Sequence, residues 1–105
     1  MFTIKQNDTS PAIEAALKTP TKQAVNLIGA TVMFHMMDEG GRVLVANTAV
    51  VVDDEAGLIR YDWRPGDTNA EGPCKAEFQV TYEDESVETF PNNGYIKIKI
   101  TPEIA

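Results

Sequence analysis

The chain predicts an all-β fold, a sandwich of two antiparallel sheets with about 7–9 strands. Two observations carry that expectation. In Cys74-Lys75-Ala76-Glu77-Phe78-Gln79-Val80-Thr81-Tyr82 apolar and polar residues alternate without a break, the period of a strand with one buried and one wet face. Turn-forming clusters such as Asp38-Glu39-Gly40-Gly41 and Pro91-Asn92-Asn93-Gly94 recur between such segments, spacing them roughly 8–15 residues apart.

Taken in order, Phe2-Thr3-Ile4-Lys5 alternates and reads as a first short strand, and Asn7-Asp8-Thr9-Ser10-Pro11 as a turn. Pro11 to Lys18 satisfies two templates. Ser10 as an N-cap, Pro11 at the first helical position and the helix formers Ala, Glu, Leu and Lys favour a helix. The alternation of Ile13, Ala15 and Leu17 with Glu14, Ala16 and Lys18, in a short segment between prolines, favours a strand, and a strand is the expectation. Thr19 to Lys22 is a turn, and Val25-Asn26-Leu27 a short extended piece ended by Gly29.

Ala30 to Met37 is a strand with Val32, Phe34 and Met36 on one face and Met33, His35 and Met37 on the other. After the Asp38–Gly41 hairpin turn, Arg42 to Asp53 is long and β-branched, with a bend or bulge expected at Asn47. Asp53 to Gly57 turns the chain into Leu58–Trp63, whose Ile59, Tyr61 and Trp63 share one face. Glu83-Asp84-Glu85 is an acidic turn and Ser86 to Phe90 pairs back. Tyr95 to Thr101 closes the sheet with Ile96, Ile98 and Ile100 inward and Lys97 and Lys99 outward. Without linker, repeat or low-complexity tract, residues 1–105 read as one immunoglobulin-like sandwich domain.

Bulk composition narrows the function classes. Hydrophobic residues make up 43% of the chain, enough for a core and against disorder. Sixteen acidic against nine basic residues give a net charge of −7, and the basic residues are scattered, which disfavours nucleic-acid binding. The single cysteine, Cys74, leaves folding to packing alone and leans towards a reducing compartment. Met1–Gln6 lacks an apolar signal core and the longest apolar run is Ala49–Val52, so neither export nor a membrane span is expected.

Candidate chemistry is sparse. Asp67-Thr68-Asn69-Ala70-Glu71-Gly72 resembles the start of a calcium loop, but the bidentate carboxylate expected at its twelfth position is Phe78; a plain connection is the expectation, with no metal and no cofactor. Cys74 and His35 are the only thiol and imidazole. Cys74 falls on the core face and His35 on the outward face of its strand, so no Cys–His nucleophile is expected. The acids at 53–55 and 83–85 read as solvated turn tips rather than paired catalytic carboxyls. Tyr61, Trp63 and Tyr82 alternate with core residues and read as packing, not as a sugar-stacking platform. The outward Met33/His35/Met37 face is a candidate contact surface, since methionine adapts to varied partners.

Several segments in order resemble one family: Phe2-Thr3-Ile4-Lys5-Gln6-Asn7-Asp8-Thr9-Ser10-Pro11, Leu27–Val32, Tyr61-Asp62-Trp63-Arg64-Pro65-Gly66-Asp67-Thr68, Ala76–Tyr82 and Thr89-Phe90-Pro91-Asn92-Asn93-Gly94-Tyr95-Ile96. Together they resemble the small sandwich found as the N-terminal domain of upper baseplate proteins of tailed bacteriophages and as stand-alone proteins in phage structural gene clusters. Two departures stand out. Relatives carry an aromatic shortly after the glycine at Gly72, where this chain has Pro73-Cys74, so no tyrosine-corner bond is expected there. Relatives place glycine after the Tyr82 strand, where Glu85 stands, which implies a longer or reshaped turn.

The resemblance implies a non-enzymatic virion structural protein, assembled in the host cytoplasm without nucleic-acid or membrane partners. It would dock on other virion proteins at the tail, baseplate, neck or capsid in multiple symmetric copies, an anchor without the longer assembly its relatives carry. The expected contact residues are Phe2 and Ile4 of the first strand, Met33, His35 and Met37, and Gly40 and Arg42 of the hairpin. The alternative is a carbohydrate- or cell-surface-binding module using exposed aromatics among Tyr61, Trp63 and Tyr95.

Overall fold

The computed structural model describes all 105 residues. It is a sandwich of nine strands and no helix, elongated to 45 × 24 × 23 Å. Strand β7 (Gly72–Thr81) is the longest and central to the larger sheet. One of its edges pairs along its length with β3 (Thr31–Asp38), from Thr31 opposite Thr81 to Asp38 opposite Cys74. Its other edge is shared: β9 (Ile96–Thr101) pairs with Gly72–Ala76 and β8 (Val87–Phe90) with Phe78–Thr81. Pro91, which has no N–H to donate, follows β8 immediately and begins the bend that separates the two partners. Strand β1 (Phe2–Lys5) adds to β9 in parallel, the one parallel pairing, and β4 (Val43–Thr48) adds antiparallel to β3. The smaller sheet is β2 (Ile13–Ala16), β6 (Leu58–Tyr61) and β5 (Val50–Asp53), in that order.

Alternation decides which face each strand buries. Val32, Phe34 and Met36 of β3, Cys74, Ala76, Phe78 and Val80 of β7, and Ile98 and Ile100 of β9 turn inward and are buried. Ile59 and Tyr61 of β6, Ile13 of β2 and the following Trp63 meet them from the other sheet. The Pro11–Lys18 segment is extended where local propensity favours helix. Its Ile13–Ala16 pairs register by register with Tyr61–Leu58, and burial of Ile13 and Leu17 outweighs the few tenths of a kcal/mol per residue that helix propensity supplies.

The long segment after the hairpin divides two residues later than expected. Asn47 stays in the ladder opposite Phe34 and turns inward, where its amide donates to the Tyr61 hydroxyl at 3.2 Å. The chain breaks at the small, buried Ala49, whose N–H bonds the Val32 carbonyl at 2.8 Å while β5 crosses into the other sheet. A smaller bulge does fall on each strand, at Leu44 in β4 and Val52 in β5.

Val25-Asn26-Leu27 forms no strand, yet Val25 and Leu27 are buried and close one end of the sandwich. Leu17 N–H bonds Gly57 O, Val25 N–H bonds Leu17 O and Leu27 N–H bonds Asp54 O. Gly57 sits at φ +66°, and a Cβ there would lie 2.7 Å from the Leu17 carbonyl oxygen. No side chain fits.

The turn after β7 is tight rather than lengthened. Glu85 N–H bonds Tyr82 O at 2.9 Å, Tyr82 N–H bonds Ser86 O at 2.8 Å, and Glu85 itself takes φ +71°. The glutamate adopts the left-handed conformation that glycine adopts without steric cost. Replacing Glu85→Gly is therefore expected to raise unfolding stability by about 0.5–1 kcal/mol, the relieved strain exceeding the added unfolded-state entropy. Urea melts of the two proteins check it, and a destabilised variant would contradict it.

Candidate functional site

The sequence-nominated chemistry is dispersed by the fold. Cys74 lies inward on β7 and His35 outward on β3, so the sheet itself separates thiol from imidazole. Burial pushes the Cys74 thiol up from its usual range, and the carboxylates of Asp38 and Glu39 push it further. His35 Nδ1 instead faces Glu77 Oε2 across the strand pair at 3.5 Å.

The Asp67–Gly72 loop is a latch. Asp67 Oδ2 accepts the Tyr61 hydroxyl at 2.6 Å and the Arg64 N–H at 2.8 Å. Thr68, the one buried polar residue, donates its hydroxyl to Asp8 O at 2.8 Å, and Gln6 donates its amide to Asn69 O at 2.7 Å. These bonds tie the loop to the N-terminal segment. Phe78, at the position a calcium loop needs for its last carboxylate, is wholly buried. The Tyr61–Asp67 bond also ties down a connection for which the sequence, lacking an aromatic at Pro73-Cys74, offered no tyrosine-corner bond.

The two acidic turns hold themselves. Asp53 Oδ1 accepts the N–H groups of Glu55 and Ala56, and Asp84 Oδ1 accepts the N–H and hydroxyl of Ser86, which hold the Asp84 carboxyl below its usual range. Of the three aromatics nominated for glycan stacking, Trp63 is 5% exposed and donates its indole N–H to Pro11 O at 3.1 Å, and Tyr61 is buried. Tyr95 alone is exposed, with Lys75 Nζ 5.2 Å from its ring centre.

The outer face of the larger sheet is where nominated residues do gather. Register places Met33 opposite Thr48 and Gln79, His35 opposite Ala46 and Glu77, and Met37 opposite Val43 and Lys75. An open groove of about 320 Å³ lies over His35, Met37, Val43, Ala46, Lys75 and Tyr95. Val43 is 64% and Tyr95 50% exposed there. Gly40 and Arg42 are exposed on the adjacent hairpin. Phe2 is half-buried with its ring 6.0 Å from that of Trp63.

Ile4 is a correction. At 3% exposure it belongs to the core, because the first strand is not a free surface strand but pairs with β9, Ile4 opposite Ile100. Val43, Ala46 and Lys75 were not nominated; the cross-strand register that joins them to Met37 has no signature along the chain.

Buried Tyr61 and half-buried Tyr82 make the fold sensitive to alkali. Tyr61 is pushed up to about 12, by burial first and then by its bond to the Asp67 carboxylate, with the Asn47 amide pulling the other way. Tyr82 is pushed up to about 12 by burial and its bond to Glu88. A folded pKa above the unfolded value means stability is complete below about pH 10 and is lost as pH rises from about 10 through 12. Urea midpoints are expected to hold up to about pH 10 and fall above it, with the slope reduced in Tyr61→Phe and Tyr82→Phe. An unchanged slope in both would contradict the assignment. Cys74 is expected to resist a thiol reagent in the native protein and to react fully in denaturant, as buried thiols do; rapid native labelling would contradict its placement.

Comparison with known proteins agrees with this architecture. No curated protein sequence matches the chain. The crystal structure of CopC from Methylosinus trichosporium OB3b aligns over 99% of this chain and 86% of that one, with a TM-score of 0.58 and 13% identity, a likeness of fold alone. The model of the BppU N-terminal domain matches residues 2–99, nearly the whole chain, and the protein belongs to that family of upper baseplate protein N-terminal domains of tailed phages.

Proposed function

We propose that the chain is a non-enzymatic structural module of a phage baseplate, docked on neighbouring virion subunits by the outer face of its larger sheet. The family match over residues 2–99 carries this reading. The outer-face groove supports it: Met37, Val43 and Tyr95 give adaptable and aromatic apolar area, and Lys75, His35 and Glu77 give a polar rim, the make-up of a protein–protein contact rather than of a reaction centre. The core-facing thiol and the self-capped acidic turns support the non-enzymatic part of the reading, and the one close acid–base pair, His35 and Glu77 at 3.5 Å, sits in the polar rim of the groove.

A glycan-binding module is the weaker reading. Such a site needs a platform of exposed rings, and two of the three candidate aromatics support the core instead. Partners on the particle would be other virion proteins, with several copies arranged by the particle's symmetry. Mass spectrometry of purified virions, with labelled antibody in electron microscopy, tests the assignment: the protein is expected at the tail tip, in a copy number matching baseplate symmetry. Its absence from intact virions would overturn the reading.

A further inference from the structure

The nine basic residues are scattered along the chain, but strand register gathers four of them on the outer face of the larger sheet. Lys97 and Lys99 alternate outward from β9, Lys75 from β7 and Lys5 from β1, and all four are exposed. Lys97 lies directly opposite Lys75, Lys99 lies between Thr3 and Pro73, and Lys5 follows two residues beyond Thr3. The strands give this face one carboxylate, Glu77, and it is turned to His35. Asp38 and Glu88, the other acids in these strands, lie opposite Cys74 and Val80 and share their inward side. Glu71 and Glu103 lie past the ends of β7 and β9, and none of the four lysines forms an ion pair within the chain.

The rest of the molecule is charged differently. On the outer face of the smaller sheet Glu14 stands opposite Arg60, and Arg60 donates to Asp62 at 2.8 Å, so the charges there are paired. The acidic turns at 53–55 and 83–85 lie at the opposite end of the larger sheet. Asp54 O accepts the Leu27 N–H and the Glu83 side chain lies over Gly29, beside the start of β3 and the end of β7. The net charge of −7 is therefore an average over an acidic end and a lysine face.

That face is not explained by the fold. Like charges directly opposite one another across a strand pair are destabilising, and Lys75 and Lys97 are such a pair. The Tyr95 ring, 5.2 Å from Lys75 Nζ, compensates only one of the two ammonium groups. Lysine guards an edge strand against pairing, which accounts for Lys5. β7 and β9 are interior strands, so Lys75, Lys97 and Lys99 have no edge to guard.

Lys75 belongs both to this row and to the groove whose apolar side is Met37, Val43 and Tyr95. An occupant of both carries carboxylates beside an apolar side chain. A nucleic acid meets the repulsive field of a strongly acidic chain, whereas a compact acidic surface need meet only the lysines. We propose that the outer face of the larger sheet docks an acidic protein segment, its carboxylates on Lys75, Lys97 and Lys99 and an apolar side chain in the groove. The inference rests on the reading of this face as a docking surface and adds the chemistry of the partner.

Titration of the full chain with a synthetic peptide, a leucine flanked by glutamates, followed by nuclear magnetic resonance, tests it. Amide shifts are expected along β7, β9 and the groove, with affinity falling as salt rises from about 50 to about 200 mM. The same peptide with glutamines in place of glutamates is expected to bind at least about fivefold more weakly. Lys97→Glu turns a like-charged pair into an opposite one. It is expected to hold or raise the urea midpoint of the free protein while weakening the glutamate peptide about fivefold. Lys22→Glu, the same change of net charge in the turn after β2, is expected to alter binding by less than about twofold. Absence of binding, shifts confined to other faces, equal binding of the glutamine peptide, or an equal effect of the two variants overturns the proposal. So does tighter binding of a thymidine oligonucleotide, or self-association of the chain on this face. These readouts use the free protein, so a partner of other chemistry fails them while the protein is still found in virions.

Discussion

The sandwich depends on how Tyr61 is held between its two sheets. Its ring stacks on Phe34 from the facing sheet with centroids 4.5 Å apart and planes within 16°, and Trp63 stands edge-on to both at 5.5 and 5.6 Å. Phe78 extends the cluster along the larger sheet. Such pairs contribute about 0.5–1.5 kcal/mol each beyond the area they bury. Burying a phenol also buries a hydroxyl, which costs more than one of those contacts returns unless it is bonded. Here Asp67 accepts its proton and Asn47 donates to its oxygen. Core packing therefore dictates where the Arg64–Asp67 turn lies, and the turn in turn holds the Thr68 latch to the N-terminal segment.

That coupling explains why the aromatic-rich stretch, which in isolation resembles a binding platform, is spoken for. The polar groups of Tyr61, Trp63 and Asp67 each have an internal partner: the indole N–H at Pro11 O, the phenol at Asp67, the carboxylate at Arg64 N–H and the phenol. A ligand would have to displace bonds that orient the core, at about 1–3 kcal/mol for each buried group left unpaired. The outer face of the larger sheet carries no such obligation, since the charged and thioether groups over Met37 and Lys75 keep solvent as their alternative partner.

What was legible in the sequence follows from which constraints are local. β3, β7 and β9 alternate because each has one face on a core and the other on solvent, and that imprint survives in the order of residues alone. Residues 11–18 were ambiguous because short-range propensity and long-range burial disagree there, and only the register with β6 decides. The bend placed at Asn47 rested on asparagine's preference for turns; its inward bond to Tyr61, fourteen residues away, is invisible along the chain. Ile4 was misplaced for a similar reason, since a terminal strand looks free until its parallel partner near the other end of the chain is known. The groove was half visible: His35 and Met37 share a strand, but Val43, Ala46, Lys75 and Tyr95 join them only through the folding of other strands against it.

The switch of one strand between sheets at Ala49 has a consequence that outlasts the fold itself. A segment that ends one sheet and then the other must leave two edges open on the same side, and backbone groups on an open edge can bond only water or another chain. The bulges at Leu44 and Val52 blunt these edges locally, yet neither interrupts Val45–Thr48. Where protection from pairing is the dominant pressure, a lysine or glutamate in such a strand is the simplest remedy, and β1, β2 and β8 each have one. Residues 43–52 hold no charge, although Asp53 ends β5, and Val43 and Ala46 of the β4 edge also line the groove beside it. The core holds Phe34, Tyr61, Trp63, Phe78 and the thiol, while the strands at the sheet edges keep backbone groups that only water or another chain can bond.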